Sequence, residues 1–158
     1  KGTVALDGNL TEELLQTIAT SPLFSNADLR VAPASPGKAA RLLALMNHPS
    51  ATLYVNLEEA GLLCQTTFPT SAEAAAALLA RGAHRVLVTD GGNAASEGTA
   101  GDIISHTPPA VMVTRVTGAG DTFMAAHIAS EAQGMDRAAA LTRAGNAAAT
   151  YVSGETPL

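Results

Sequence analysis

Ala51-Thr52-Leu53-Tyr54-Val55, Ser71-Ala72-Glu73-Ala74-Ala75-Ala76-Ala77-Leu78-Leu79-Ala80-Arg81 and Arg85-Val86-Leu87-Val88-Thr89 follow one another along the chain. The outer two are short and rich in β-branched and apolar residues, whereas the middle one is an Ala-rich run of helix formers stopped by Gly82. Strand, helix and strand in succession predict an α/β chain in which covering helices join the strands of one sheet. The alternation extends in both directions. Further strands are expected at Thr3–Leu6, Leu29–Ala32, Asn93–Glu97, Asp102–Ser105 and Ala110–Val113. Thr11 caps a helix through Ala19, with Glu12 and Glu13 at the positive end of its dipole, and Pro36 opens another over Gly37–Met46. Asp90-Gly91-Gly92-Asn93 lies between two extended runs and reads as a hairpin turn, since Gly and Asn tolerate positive φ; the sheet thereby gains an antiparallel piece. Toward the end, Gly118-Ala119-Gly120 leads into a helix to about Gln133, Gly134 breaks it, and Met135–Tyr151 forms another.

The 158 residues carry 9 Lys+Arg against 14 Asp+Glu, a formal net charge of −5, and are 47% hydrophobic and 15% charged. That is the balance of one ordinary globular domain. Without a block of Lys or Arg, an acidic chain lacks the attraction to phosphate backbones on which nucleic-acid binding rests, so no nucleic-acid partner is expected. Charges, Gly or Pro interrupt every apolar run before the roughly 18 residues that a bilayer crossing needs, so no membrane partner is expected. Cys64 has no second cysteine to pair with, and His48, His84, His106 and His127 show no zinc-site spacing, which predicts a reducing, cytoplasmic setting. The chain opens at Lys1 with Thr3–Leu6 already reading as a strand, which predicts a truncated chain. Strand edges and apolar surface bared by truncation would favour self-association as a homo-oligomer.

Val116-Thr117-Gly118-Ala119-Gly120-Asp121-Thr122-Phe123 carries the clearest chemistry. Small residues let an anion approach the backbone, and the free N–H groups of the helix starting here point at it with the dipole behind them. Asp121 falls in the first turn, where the dipole favours negative charge. A carboxylate beside an anion hole can take a proton from a substrate hydroxyl while the hole steadies a transferring phosphoryl group. A Gly-rich turn before a helix can equally serve packing or capping. Glu59 lies one helical turn beyond Asn56, so both can face one side, and their hard oxygens suit Mg²⁺ through water; a solvated helix carboxylate is the alternative. Asp7 and Asn9 follow a strand and could line a cleft at its carboxyl end or make a simple Asx turn. Lys38 could meet a phosphate or offset acidic surface. Cys64 reads as a small buried hydrophobe, His127 as a satisfied histidine, and Phe123, Met124 and Ile128 as one helix's core face.

Thr117-Gly118-Ala119-Gly120-Asp121 resembles the signature of the ribokinase-like PfkB carbohydrate kinases. The resemblance implies that Asp121 is the catalytic base and that the backbone of Gly118, Ala119 and Gly120 forms the anion hole, with Thr117 beside the nucleotide. Asn56-Leu57-Glu58-Glu59-Ala60 looks like the family's Asn-x-x-Glu element, which implies that Asn56 and Glu59 organise Mg²⁺, through water, and the triphosphate of ATP. Val86 to Gly92 is similar to the strand and turn that approach the nucleotide, implying Thr89, Gly91 and Gly92, and Ala144-Gly145-Asn146-Ala147-Ala148 is similar to the helix beside the adenine, implying Asn146. The implied fold is the ribokinase-like three-layer αβα sandwich, Rossmann-like, with a mostly parallel sheet and an antiparallel hairpin. Residues 1–158 would be its single ATP-binding, catalytic C-terminal portion, the N-terminal half and lid being missing. The implied activity is transfer of the γ-phosphate of ATP to a primary hydroxyl of a small-molecule sugar or nucleoside, with a non-catalytic nucleotide-binding module or another sugar kinase such as ribokinase as alternatives. Val31-Ala32-Pro33-Ala34-Ser35-Pro36-Gly37-Lys38-Ala39-Ala40-Arg41, following Leu6-Asp7-Gly8-Asn9-Leu10, looks like the corresponding region of pseudouridine kinases, as does Val116 before Thr117. Ribokinase itself usually has Asp-Thr where this chain has Arg115-Val116, and Arg115 could be no more than a solvated charge. Without a lid to exclude water and order the acceptor, the isolated chain should turn over weakly or not at all.

Overall fold

The structure is a computed structural model and describes residues 3–154; residues 1–2 and 155–158, the ends of the expected single unit over 1–158, lie outside the described residues. Six strands form one sheet: β1 (Thr3–Asp7), β2 (Asp28–Ala32), β3 (Ala51–Asn56), β4 (Arg85–Thr89), β5 (Ala95–Thr99) and β6 (Asp102–His106). They lie side by side in sequence order; neighbours pair parallel from β1 to β4, and β5 runs antiparallel to both β4 and β6. Crossovers between sequential parallel neighbours share one handedness and so stay on one face of a sheet. Helices α1 (Glu12–Thr20), α2 (Leu57–Cys64) and α3 (Ser71–Ala80), with the 3₁₀ segment Pro36–Leu45, make that layer. After the antiparallel pair the chain returns on the other face as α4 (Ala119–Ala132) and α5 (Arg137–Val152), completing three layers.

Alternation along the strands sorts residues into two cores. Leu53 and Val55 on β3, and Val86 and Val88 on β4, pack with Leu15, Leu42, Leu45 and Leu78 on the α1–α3 side. Tyr54 and Leu87, one residue out of phase, pack with Phe123, Leu141 and Ala144 on the α4–α5 side. The expected cap is present: Thr11 accepts from the Leu14 amide (3.1 Å), and Thr70 and Asp136 cap α3 and α5 in the same way. Cys64 is buried, and burial pushes its thiol up.

Three expectations are corrected. The segment after Pro36 is helical where expected but winds as the tighter 3₁₀ form. Strand β5 starts at Ala95 rather than Asn93, because Asn93 still belongs to the turn: its amide donates to the Asp90 carbonyl (2.9 Å), with Gly91 at φ +55°. Ala110–Val113 is no strand. Pro108 and Pro109 before it have no N–H to give a ladder, and the chain beyond is tied to a helix end, with the Thr114 and Arg115 amides donating to the Val152 carbonyl at 2.7 and 3.2 Å.

Candidate active site

A cavity of about 360 Å³ opens beyond the carboxyl end of β4, where open α/β sheets place their ligands. Thr89, Gly91, Gly92, Ala119 and Gly120 line it, so five of the residues expected at the site converge from two distant segments. The rest of the wall is apolar: Ala95, Pro108, Pro109, Ala110, Val111, Val113, Val116 and Phe123, with Gly145, Ala148, Ala149 and Val152 of α5. The Ala110–Val113 run mistaken for a strand is therefore a cavity wall. Its signal was apolar residues with no sheet partner to bury them, directly after two prolines.

Helix α4 begins against this cavity. Gly118 is its N-cap at φ +95°, a conformation that side chains resist, and a Cβ there would also collide with the Tyr151 hydroxyl. The Gly118 carbonyl accepts from the Thr122 amide (3.0 Å) and hydroxyl (2.9 Å), and the Ala119 amide donates to the Val116 carbonyl (3.0 Å). Of the first-turn donors, Ala119 is thus engaged. The amides of Gly118, Gly120 and Asp121 have no acceptor among the described residues, the condition in which a helix start can receive an anion. Asp121 follows directly and its side chain is exposed to solvent rather than walled in. Thr117 does not line the cavity; its carbonyl accepts from the Tyr151 hydroxyl at 2.6 Å.

Asn56 and Glu59 meet as a capping box at the start of α2: the Asn56 side chain accepts from the Glu59 amide and Glu59 Oε1 accepts from the Asn56 amide, both at 2.8 Å. Glu59 is buried; burial pushes its carboxyl up, against the pull of the Asn56 amide. One carboxylate and one amide suit a cation that keeps most of its own waters, as Mg²⁺ does, and no group of three or more His, Cys, Asp or Glu among the described residues offers a fuller cage. Neither residue lines the 360 Å³ cavity, and nor does Asn146, which is exposed on α5 while its neighbour Gly145 forms the wall.

At the carboxyl end of β1, Asp7 makes the Asx turn, accepting from the Asn9 amide (2.8 Å), while Lys38 donates to the Asn9 side chain and Arg41 to the Gly8 carbonyl (2.7 Å). Arg115 is not a free solvated charge: its guanidinium lies 3.9 Å from the Tyr151 ring centroid and its Nε donates to the Tyr151 carbonyl at 2.7 Å.

The far half of α4 is held by a network that sequence reading missed. Glu131 accepts from Arg30 (2.7 Å) and Arg85 (2.9 Å), and Glu97 accepts from Arg85 (3.1 Å) and Arg137. Arg30 also donates to the Tyr54 hydroxyl (2.9 Å), which pairs with His127 Nδ1 (2.7 Å), while His127 Nε2 lies 3.4 Å from Arg85 and 3.7 Å from Glu97. His127 is fully buried, as a satisfied histidine should be, and its ring stacks on Phe123 of the cavity wall with centroids 6.4 Å apart. Burial alone would raise the Glu97 carboxyl; hydrogen bonds from His127 and Arg137 and the charge of Arg85 outweigh it and hold it at about 2.

Unengaged amides at a helix start, an exposed carboxylate beside them and an apolar cavity behind them stand on a three-layer α/β scaffold with a mostly parallel sheet, which is a ribokinase-like fold. The chain belongs to the pfkB family of carbohydrate kinases, whose model matches residues 2–156. Among solved structures it is similar to a carbohydrate kinase from Agrobacterium tumefaciens (27% identity over 92% of this chain and 46% of that one, TM-score 0.73). It is also similar to ribokinase from Thermotoga maritima (20%, 97% and 50%, TM-score 0.77) and to adenosine kinase from Schistosoma mansoni in complex with 2-fluoroadenosine (20%, 96% and 50%, TM-score 0.76). The chain spans about half the length of these structures. No curated protein matches it. No helix among the described residues is long and apolar enough to cross a membrane.

Proposed function

We propose that this chain is the nucleotide-binding, catalytic portion of an ATP-dependent kinase acting on a small sugar or nucleoside. The observation that carries the reading is the junction at Gly120. There the apolar cavity, the unengaged amides of the α4 start and the Asp121 carboxylate adjoin within one turn of helix. The slot between Pro108–Val113 and α5 takes the adenine and keeps water from it. The amides of Gly118, Gly120 and Asp121 hold the phosphoryl group as its charge develops, and Asp121 accepts the proton of the acceptor's primary hydroxyl. Asn56 and Glu59 would hold a magnesium ion through its waters, and that ion, when bound, neutralises phosphate oxygens.

The acceptor we favour is a ribosyl compound of the pseudouridine type, on the likeness of the Leu6–Leu10 and Val31–Arg41 segments to pseudouridine kinases. In this fold those segments meet at one end of the sheet, through Lys38 with Asn9 and Arg41 with Gly8. A reducing compartment such as the cytoplasm fits the buried, unpaired Cys64.

Calorimetry with ATP and Mg²⁺ on this chain should register binding, and its absence would leave only a packing domain. In the polypeptide that carries the activity, Asp121→Asn should lower kcat by roughly 10²–10⁴-fold. An undiminished kcat there, with binding retained, would favour a nucleotide-binding module in which Asp121 does no chemistry.

A further inference from the structure

Tyr151, in the last turn of α5, touches the anion-holding turn at two points. Its hydroxyl donates to the Thr117 carbonyl at 2.6 Å and lies so close to Gly118 that no side chain fits there. The Thr117 carbonyl and the Gly118 amide belong to one planar trans peptide, so they point in opposite directions. Holding the carbonyl against Tyr151 therefore aims the Gly118 N–H away from it. That N–H is one of the three donors left without an acceptor among the described residues.

Tyr151 is itself held. Arg115 stacks on its ring at 3.9 Å and donates from Nε to its carbonyl at 2.7 Å, so a cation sits at the carbonyl end of α5, where the helix dipole favours one. The Thr114 and Arg115 amides add two bonds to the Val152 carbonyl. Residues 114–118 are thereby strapped along the end of the helix that also walls the cavity with Gly145, Ala148 and Val152.

We infer that Tyr151 is a positioning residue: through the Thr117–Gly118 peptide it aims the amide that grips the terminal phosphates of the nucleotide. The inference rests on the kinase reading above and adds to it a residue outside the signature segment. It separates phosphate binding from base binding, because Tyr151 contacts the turn and does not line the slot.

The test is calorimetry on this chain with ATP and with AMP as probes, for the wild type and Tyr151→Phe, which keeps the ring under Arg115 and removes only the hydroxyl. The variant should bind ATP about tenfold more weakly, the loss expected for one hydrogen bond that orders a charge-binding group, and AMP within about twofold of the wild type. Unchanged ATP affinity in Tyr151→Phe, or equal losses for ATP and AMP, would overturn the inference while leaving the kinase reading in place. A wild-type chain that binds neither nucleotide would sink both.

Discussion

Leu53 and Tyr54 are neighbours on β3 and enter opposite layers of the molecule. Leu53, 1% exposed, meets Val31, Leu42, Leu78 and Val86, a core built from non-directional burial. Tyr54, 4% exposed, meets Arg30 and His127 and, through them, Glu131, Arg85 and Glu97. The sheet thus carries an apolar core on both faces, and on the α4–α5 face a chain of ion pairs beneath α4 in addition. Close-packed apolar side chains fix a core by shape, and hydrogen-bonded ion pairs add a constraint of direction. The layer that starts the candidate active site is the one built with directional bonds, and we read the difference as a means of fixing where α4, and hence Gly120 and Asp121, stand relative to β4.

Breaking the polar side should cost most. Glu97→Gln keeps the shape and leaves Arg85 and Arg137 facing a neutral amide, so denaturant unfolding should show a loss of about 3–5 kcal/mol, as when one partner of a buried pair is removed. The pH dependence follows from the depressed carboxyl. Its folded value of about 2 lies below the ordinary 4.5, so Glu97 contributes stability above the ordinary value, and that contribution is lost as pH falls from there through about 2. The variant should show a flatter acid limb; an acid limb identical to the wild type's would mean that apolar packing alone holds this layer. Leu53→Ala probes the other side and should cost about 2–5 kcal/mol, insensitive to salt, because only apolar area and a cavity are involved. A marked salt dependence of that loss would erase the contrast between the layers. The smallest change belongs to the rim of the network, where Asp102 pairs with Arg137 with its side chain 67% exposed: Asp102→Asn should cost less than about 1 kcal/mol in the same unfolding assay. A larger cost would extend the directional network to the surface.

Local patterns made much of the fold legible. Four parallel strands appear within a residue or two of their expected places, because a β-branched run between turn residues has few other uses. The hairpin at Asp90–Asn93 was readable from its glycines, although only the Asn93-to-Asp90 hydrogen bond shows where the turn ends. Ala110–Val113 misled for a definable reason: an apolar run has the same composition whether a sheet or a cavity lies beside it. At the site, the signature segment located the helix start and its carboxylate, yet it could not say which amides are spent locally. The Ala119 amide is consumed by Val116, and the Asp121 amide is available in its place. Likewise Asn146 carried the expected label while Gly145 and Ala148, one residue before and two after, form the wall. On a helix only a few consecutive positions face a given neighbour, and sequence without a partner does not say which.

What the order of residues settled alone was everything that depends on near neighbours: the alternation of strands and helices, the cap at Thr11, and a glycine-lined helix start followed by Asp121. What had to await folding was everything that joins residues far apart. Arg30, Arg85, Glu97, His127 and Glu131 find one another only when the sheet and α4 are in place, and Tyr151 reaches Thr117 across 34 positions of sequence. Local structure follows from short-range sterics and backbone hydrogen bonds, whereas these contacts depend on how whole layers are stacked.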